Sequence, residues 1–343
     1  MSKQLGRIVA SLLTWYQKNK RDLPWRKDKN PYHVWISEIM LQQTRIEAVM
    51  NYYQRFMERL PSIQSLAKIN EDELLKLWEG LGYYSRAKNI KKAAQKVMTD
   101  YDGKMPESYA ELVKLPGIGE YTAGAIASIC YNEKVTAVDG NVLRVISRVI
   151  GSKKDVLLPE TKKEIEEMLR EVMPDDSGDF NEGLMELGEL VCVPNGMPAC
   201  DKCPLKEKCI AFHQNLIEEI PVRMKKIKRK KEEKTVFILQ SEDGRIAIQK
   251  REEKGLLSGM YEFPNQNGYL SKEKVHEIIS GWKMTVQEIK ELQEVKHVFT
   301  HVDWYMKGYL VTVRETSTTF TWASKEELTQ KYALPTAFRK FKG

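Results

Sequence analysis

The sequence predicts two domains of different class, a helical domain followed by a smaller α+β domain. Up to about residue 215, apolar residues recur at the spacing of amphipathic helices. Residues 217–235 then carry a Pro and a dense run of Lys and Arg, and beyond them apolar and polar residues alternate as in strands. We therefore predict a helical domain at residues 1–215, a basic linker at 216–234 and an α+β domain at 235–343.

Each predicted element follows from a local pattern. A first helix is expected at residues 5–19, and the next loop contains Pro24 and Pro31, which interrupt helices. Residues 33–58 predict one long helix from their apolar periodicity. Further helices are expected at 160–173 and 179–191. In the second domain, alternation predicts strands at 235–240, 245–251, 297–313 and 319–323, and helices at 271–282 and 324–332.

Composition limits the class of protein. The 343 residues carry a net charge of +7, which favours a polyanionic partner. No apolar run approaches the length of a membrane span, and residues 1–16 lack a signal-peptide cleavage pattern. Four of the five Cys cluster near residue 200, which indicates a metal rather than a secreted disulfide framework. We expect a cytosolic protein.

The stretch LPGIG at residues 115–119 predicts a hairpin between two helices. Pro116 stops one helix, and Gly117 and Gly119 allow a tight turn. The backbone N–H groups that begin the next helix would then suit an anion such as a phosphate. An ordinary helix–helix turn is the simpler alternative.

Two carboxyl groups are candidates for chemistry. Asp139 is predicted at the N-terminus of a helix that starts near Asn141, where the helix dipole would keep it ionised. Glu38 lies in the apolar run VWISEIML, where lost hydration would raise its pKa. Such a pair is able to cleave an N-glycosidic bond. Taken singly, Asp139 could be a plain helix cap and Glu38 could face water.

The four clustered cysteines have the spacing C-x7-C-x2-C-x5-C. Four thiolates in one short loop bind either a zinc ion or an iron–sulfur cluster, and the spacing alone leaves both open. The four are Cys192, Cys200, Cys203 and Cys209.

These motifs, taken together, resemble one known family. SEIMLQQTR (37–45), GLGYYSRA (80–87), LPGIGEYTAGAI (115–126) and VDGNVLRV (138–145) occur in the order found in the endonuclease III superfamily of DNA glycosylases. Within it they are most similar to the MutY family of adenine DNA glycosylases. The resemblance implies an all-α helix-hairpin-helix glycosylase domain with an iron–sulfur loop.

The resemblance also implies roles for residues at the reaction centre. Glu38 would be the general acid that protonates adenine at N7, and Asp139 would stabilise or capture the oxocarbenium ion. Asn141 would orient Asp139, and Tyr121 would pack against the sugar and the carboxylates. Bifunctional relatives carry a Lys where this chain has Tyr121, so a monofunctional enzyme that leaves an abasic site is expected.

DNA contacts are implied at further positions. Trp25, Arg26 and Glu186 would line a pocket for the flipped adenine; the family usually has Gln where this chain has Glu182. Other residues are implied to hold the duplex: Gln43 and Thr44 as a wedge, Leu81 and Tyr83 as intercalators near the opposing base, and Gly117 and Gly119 at a phosphate. Core packing is the alternative for Leu81 and Tyr83.

The family selects a [4Fe–4S] cluster for the four cysteines. Its commonest first gap has six residues, so this chain has one more, near residues 194–198. The second domain resembles the MutT-like, or Nudix-like, C-terminal domain of the same family through GLLSGMYEFP (255–264) and residues 298–301. We find no Nudix box. The resemblance therefore implies recognition of 8-oxoguanine by Phe299, Thr300 and His301 rather than nucleotide hydrolysis; a plain turn is the alternative.

We therefore expect a base excision repair enzyme that removes adenine mispaired with 8-oxoguanine or guanine in double-stranded DNA. It is expected to be a monomer in a bacterial cytoplasm, associated with the nucleoid through DNA and not with a membrane. A bifunctional endonuclease III-like glycosylase/lyase and a non-catalytic DNA-binding iron–sulfur protein are the alternatives.

Overall fold

The computed structural model describes residues 2–224 and 229–341. Met1, residues 225–228 of the predicted linker and residues 342–343 of the predicted α+β domain lie outside the described residues. Contacts between residues divide the chain into two units. The helical unit comprises residues 1–68 and 89–225, and the sheet unit comprises residues 69–88 and 226–343.

The part of the chain before residue 215 is helical, as predicted. Its α-helices are α1 (Ser2–Gly6), α2 (Val9–Asn19), α3 (Pro31–Leu41), α4 (Ile46–Arg59), α5 (Ile63–Lys68), α6 (Glu71–Leu77), α7 (Ser85–Asp100), α8 (Tyr109–Leu112), α9 (Glu120–Tyr131), α10 (Gly140–Ile150), α11 (Pro159–Arg170), α12 (Ser177–Leu190) and α13 (Ile210–His213). None of the helices in the described ranges combines the length and the apolar character needed to cross a membrane.

The prediction of one helix over residues 33–58 is wrong. Helix α3 ends at Leu41 and α4 begins at Ile46, and between them Gln43 has a left-handed φ of 60°. No Pro or Gly marks this break in the sequence, so the periodicity on its two sides appeared continuous. The helix predicted at residues 5–19 is likewise divided, between Gly6 and Val9.

Helices α2, α10, α11 and α12 share a hydrophobic core with α1. The buried members include Leu5, Ile8, Leu12, Val142, Val145, Ile146, Val149, Ile165, Leu169, Phe180, Leu184 and Leu187. Helix α9 packs against α3 and α12. A Cβ atom added to Gly124 would lie 2.1 Å from the Thr136 carbonyl oxygen, so α9 approaches this backbone more closely than any residue with a side chain would allow.

The sheet unit is built around two long parallel strands. The strands are β1 (Lys230–Ser241), β2 (Ile246–Lys250), β3 (Tyr261–Glu262), β4 (Asn265–Asn267), β5 (Val286–Glu291), β6 (Val295–Val298), β7 (Val302–Val313) and β8 (Thr321–Ala323). Strand β1 pairs with β7 in register from Lys230 opposite Val302 to Ser241 opposite Val313. The order β3-β2-β1-β7-β5 is completed by β6 on β7, β4 on β1 and β8 on β2.

Both faces of this sheet are covered, so side chains along β1 alternate between two cores. Val236 and Ile238 face one core, and Phe237 and Leu239 face the other. The helices of this part of the chain are α14 (Lys272–Gly281), α15 (Lys325–Gln330) and α16 (Thr336–Arg339). Strand β1 begins at Lys230, inside the segment predicted as a linker. Its first residues are charged and mostly exposed and do not alternate with apolar ones, so the alternation in the sequence did not indicate this start.

Residues 69–88 are part of the sheet unit although the sequence assigned them to the helical domain. Helix α6 donates through Lys76 Nζ to the Tyr332 carbonyl at 3.0 Å, and Asp72 accepts from Lys250 Nζ at 2.6 Å. Glu79, just after the helix, accepts from the Leu334 amide at 2.8 Å. These contacts between residues far apart in sequence leave no local pattern from which the division could be predicted.

Candidate active site

A cavity of about 400 Å³ lies in the helical unit, within the usual size range of ligand pockets. Nine of the residues that the sequence singled out line it: Trp25, Arg26, Glu38, Gln43, Thr44, Tyr121, Asp139, Asn141 and Glu186. They come from the turn at Pro24–Arg26, helix α3 with the loop that follows it, and helices α9, α10 and α12 with the residue before α10. The fold therefore gathers the predicted catalytic and adenine-pocket residues in one cavity.

Glu38 projects from α3 and is only 7% exposed. Its Oε2 accepts a hydrogen bond from the Tyr121 hydroxyl at 2.6 Å. Burial raises the pKa of the Glu38 carboxyl to about 7; the Tyr121 hydrogen bond opposes this rise, and the charges of Glu182 and Asp139 reinforce it. The carboxyl is therefore able both to hold and to release a proton near neutral pH.

Asp139 is the N-cap residue of α10. Its Oδ1 accepts from the amides of Asn141 (2.9 Å) and Val142 (2.8 Å), and its Oδ2 accepts from Nδ2 of Asn141 (2.8 Å). Burial raises the pKa of the Asp139 carboxyl, while these three donors lower it. The predicted cap is present. Burial outweighs the donors, however, so the pKa of the Asp139 carboxyl is raised, whereas the helix N-terminus alone was expected to favour the ionised form.

The side chain of Asn141 is fixed by its neighbour on the same helix. Its Oδ1 accepts from Arg144 Nη2 at 2.8 Å, and because a guanidinium only donates, Nδ2 is the group that faces Asp139. Arg144 Nε also donates to the carbonyl of Cys192 at 2.7 Å. A continuous chain of hydrogen bonds thus runs from the first cysteine of the cysteine-rich loop to the Asp139 carboxyl.

The rear of the cavity is an ion-pair network. Glu186, 1% exposed, accepts from the backbone amide and guanidinium of Arg21 and from Arg26 Nη2, at 2.8–3.0 Å. Burial alone would raise the pKa of Glu186, but these hydrogen bonds lower it to about 2. Both oxygens of Glu186 are engaged, so its carboxylate holds Arg26 in place at the wall of the cavity.

Glu182 lies one helical turn before Glu186 and also lines the cavity. It accepts from Arg26 Nε at 2.8 Å and from the Tyr16 hydroxyl at 2.9 Å. The sequence left its role open because the family usually has Gln there. The four-residue spacing between Glu182 and Glu186 was the available signal, whereas no pattern pointed to Arg21.

The hairpin and the wedge loop have special backbone conformations. Gly117 has a φ of 76°, and a Cβ there would lie 2.6 Å from Cβ of Asn89. Gly119 precedes α9, and within the described chain no side chain caps the first amides of that helix. Gln43 is a non-glycine residue with a left-handed φ of 60°, a conformation that is enriched at functional sites.

The four clustered cysteines have free thiols. Burial raises the pKa of the Cys203 thiol to about 12, and the charges of Cys192, Cys209 and Cys200 act in the same direction, so the four sulfur atoms are neighbours. Among the described residues, no three His, Cys, Asp or Glu side chains form a group arranged to hold a metal ion. Four thiols in one loop are a donor set that suits either a zinc ion or an iron–sulfur cluster.

In the sheet unit, two of the predicted opposite-base residues are in contact with each other. The Tyr83 hydroxyl lies 2.7 Å from Oγ1 of Thr300. Tyr83 is 44% exposed with a φ of 47°, while Leu81 is 7% exposed and buried in the unit. Phe299 packs edge-on against Trp304 at 4.8 Å and anchors the β6–β7 turn, which leaves His301 exposed.

Comparisons with known proteins agree with this geometry. Residues 36–175 match the model of the HhH-GPD superfamily of base excision DNA repair proteins, and residues 235–342 match the model of the NUDIX domain. A thermostable thymine-DNA glycosylase of solved structure is 29% identical, with a TM-score of 0.56 over 62% of this chain and 98% of its own. The fold and the site thus define a helix-hairpin-helix glycosylase of base excision repair with an appended Nudix-like domain.

Relatives that align over most of the chain narrow this class. The adenine DNA glycosylase of Buchnera aphidicola subsp. Schizaphis graminum is 37% identical over 88% of this chain and 86% of its own. The Homo sapiens adenine DNA glycosylase is 31% identical over 96% of this chain and 72% of its own. The chain belongs to the adenine DNA glycosylase family, and both predicted domain folds are confirmed.

Proposed function

We propose that this chain excises adenine from double-stranded DNA where the adenine stands opposite 8-oxoguanine or guanine, and that it leaves an abasic site. The observation that carries the proposal is the buried Glu38, whose pKa is about 7 and which lies in the same cavity as Asp139. A protonated carboxyl and a second carboxyl in one cavity fit cleavage of an N-glycosidic bond.

In this proposal Glu38 donates its proton to N7 of the flipped adenine. The electron pair of the glycosidic bond then leaves with the base, and positive charge develops at C1′ and the ring oxygen of the sugar. The Asp139 carboxylate, aligned by Asn141 and the Val142 amide, stabilises that charge or captures C1′. Water then attacks C1′, displaces Asp139 where that carboxylate has bonded, and gives its proton to the Glu38 carboxylate, which restores the acid and yields free adenine and an abasic sugar.

The wall of the cavity would bind the extruded base. Trp25 is buried, with its ring held against Tyr53 at 5.1 Å, and offers an apolar surface. Arg26 would donate to the acceptor atoms of adenine. Glu182 and Glu186 would act by holding Arg26, since both oxygens of each carboxylate are already engaged.

Tyr121 occupies the position at which bifunctional relatives carry a Lys nucleophile. Its hydroxyl donates to Glu38 and holds that carboxyl in place, and its side chain supplies no amine for a Schiff base. A Tyr in place of the Lys supports a monofunctional glycosylase.

Recognition of the opposing base is assigned to Tyr83, Thr300 and His301. The hydrogen bond between Tyr83 and Thr300 supports this assignment, because it joins the two motifs that the sequence connected with that base. The buried Leu81 and the packed Phe299 would then support the turns from below rather than meet the base directly.

Cys192, Cys200, Cys203 and Cys209 would hold a [4Fe–4S] cluster, which would brace the loop that they enclose. The guanidinium of Arg148, 3.2 Å from Sγ of Cys192, would offset the charge of the ligands. Purified protein is expected to be brown and to contain iron and sulfide. A colourless, folded protein with one zinc per chain would exclude the cluster.

A labelled duplex with a central adenine, assayed with and without alkali, tests the activity. Breaks at the adenine only after alkali are expected. Breaks without alkali would indicate a glycosylase/lyase, and intact strands bound by protein would indicate a DNA-binding protein without catalysis. Parallel duplexes with 8-oxoguanine, guanine or thymine opposite the adenine test the specificity.

A further inference from the structure

Glu79 lies between helix α6 and the turn that carries Leu81 and Tyr83, and its side chain is only 7% exposed. Its carboxylate accepts from the Leu334 amide at 2.8 Å. It also pairs with Lys76 Nζ at 2.8 Å and with the Arg339 guanidinium. A buried carboxylate with three donors holds these groups in place, because a buried donor or charge left without its partner costs free energy.

Lys76 extends the same anchor. In addition to Glu79, its ammonium group donates to the carbonyls of Tyr332 at 3.0 Å and Leu328 at 3.4 Å. The end of α6 is therefore tied to residues 328–339, which include part of α15 and all of α16. Neither Glu79 nor Lys76 lines the adenine cavity.

The turn after Glu79 has two internal hydrogen bonds and a strained residue. Trp78 Nε1 donates to the Gly82 carbonyl at 3.1 Å, and the Tyr84 hydroxyl accepts from the Gly80 amide at 3.2 Å. Tyr83 has a left-handed φ of 47°, which disfavours spontaneous formation of this turn. A strained turn of this kind keeps its conformation only when its surroundings hold it.

We propose that Glu79, with Lys76, is a positioning residue for discrimination of the opposing base. It holds the turn of residues 80–84 on the 328–339 segment so that Tyr83 meets Thr300. This inference rests on the proposed reading of 8-oxoguanine by Tyr83 and Thr300. Glu79 acts through Tyr83 and touches no substrate.

The test measures single-turnover adenine excision by the full-length protein on two duplexes that differ only in having 8-oxoguanine or guanine opposite the adenine. In Glu79→Ala, the ratio of the two rates is expected to fall about tenfold, the size of a typical coupling between residues in contact. Glu79→Gln keeps an acceptor for the Leu334 amide and is expected to recover part of the ratio. Glu277→Ala, which removes an exposed carboxylate of the same unit that pairs with Lys274, is the control.

A double-mutant cycle separates positioning from a general loss of stability. If Glu79 acts through the Tyr83–Thr300 contact, adding Glu79→Ala to Thr300→Ala lowers the ratio little further. Additive effects, or equal losses on both duplexes, overturn the proposal. If Glu79→Ala does not fold, Arg339→Ala, which removes a half-exposed partner of Glu79, is expected to shift the ratio in the same direction; an unchanged ratio then overturns it.

The native chain and Thr300→Ala distinguish a failure of the proposed opposite-base reading from a failure of the role assigned to Glu79. If the native chain does not discriminate, or Thr300→Ala leaves the ratio unchanged, the proposed opposite-base reading fails and this inference falls with it. If Thr300→Ala lowers the ratio while Glu79→Ala does not, the reading stands and only the role of Glu79 is refuted.

Discussion

Glu38 and Glu186 line the same cavity, yet their carboxyl groups differ by about five units of pKa, at about 7 and about 2. Burial opposes the ionised form of both. The difference lies in the donors, because Glu38 has one hydroxyl, from Tyr121, whereas Glu186 has two guanidinium groups. Such a division lets one carboxyl carry a proton while the other remains a fixed anion.

Glu38→Gln is expected to reduce single-turnover adenine release by at least a hundredfold, since general acid catalysis typically contributes 10²–10⁴-fold. Duplex binding should change little, because an amide keeps the size of the side chain. Quantifying free adenine and measuring gel-shift affinity on the same duplex tests both statements. Glu164→Gln, a surface carboxylate on α11 paired with Lys154, is the matched control; near-native release by Glu38→Gln refutes the general acid.

The raised pKa of Glu38 predicts an alkaline limb in the pH profile. The carboxyl must be protonated to act, so the rate of base release is expected to fall about tenfold per unit above pH 7. Tyr121→Phe removes the hydrogen bond that favours the ionised form, so the limb should move to higher pH by roughly one unit. A limb that stays in place, or moves to lower pH, would show that Tyr121 does not stabilise the Glu38 carboxylate.

The sequence predicted which residues line the site better than it predicted their pKa values and ion pairs. The burial of Glu38 followed from its apolar neighbours along α3, and the Asp139 cap followed from local helix signals. The raised pKa of Asp139 did not, because burial is set by chain segments that are distant in sequence. The network of Arg21 and Glu182 was missed for the same reason.

Two turns that carry predicted DNA-contacting residues contain non-glycine residues with left-handed backbone conformations. Gln43 sits between α3 and α4, and Tyr83 lies before α7. Gln43 breaks a helical segment at a point where the sequence offers no Pro or Gly, whereas Tyr83 follows Gly80 and Gly82, which mark its turn. The elements themselves were predictable from periodicity, while the exact break in α3–α4 was not, since a strained residue follows no propensity.

The hairpin before α9 offers a matched pair of glycines for a test of stability. Gly117→Ala is expected to cost about 1–3 kcal/mol, because φ is 76° and the new Cβ would meet Asn89 at 2.6 Å. Gly119→Ala meets nothing within 4 Å and has an ordinary φ, so its cost should stay below about 1 kcal/mol. Denaturant midpoints compare the two; equal costs would show that the hairpin backbone is not what fixes Gly117.

In the whole molecule, the two units defined by residue contacts differ from the two domains predicted along the sequence. Periodicity correctly separated a helical region from an α+β region, because that signal is local. It assigned residues 69–88 to the helical region, since α6 is an ordinary helix by pattern. Their place in the sheet unit depends on Lys76, Glu79 and Asp72, whose partners lie beyond residue 249.

A chain truncated after residue 224 is therefore expected to lose the support of residues 69–88. Limited proteolysis should cleave this segment faster in the truncated chain than in the full-length protein, while helix α12 remains protected in both. Equal protection of residues 69–88 would show that they are held independently of the sheet unit. Adenine excision opposite guanine by the truncated chain would report the activity that does not require the residues after 224.

During synthesis of the protein, Glu79 is made long before the residues that hold its side chain. The amide of Leu334 that meets Glu79 lies 255 residues later in the chain. At a translation rate of about 5–20 residues per second, α6 leaves the ribosome roughly 13 to 50 s before its partners exist. During that interval residues 69–88 lack the part of the sheet unit that holds them. Nascent chains stalled between residues 225 and 325 should therefore expose residues 69–88 to chaperones and proteases.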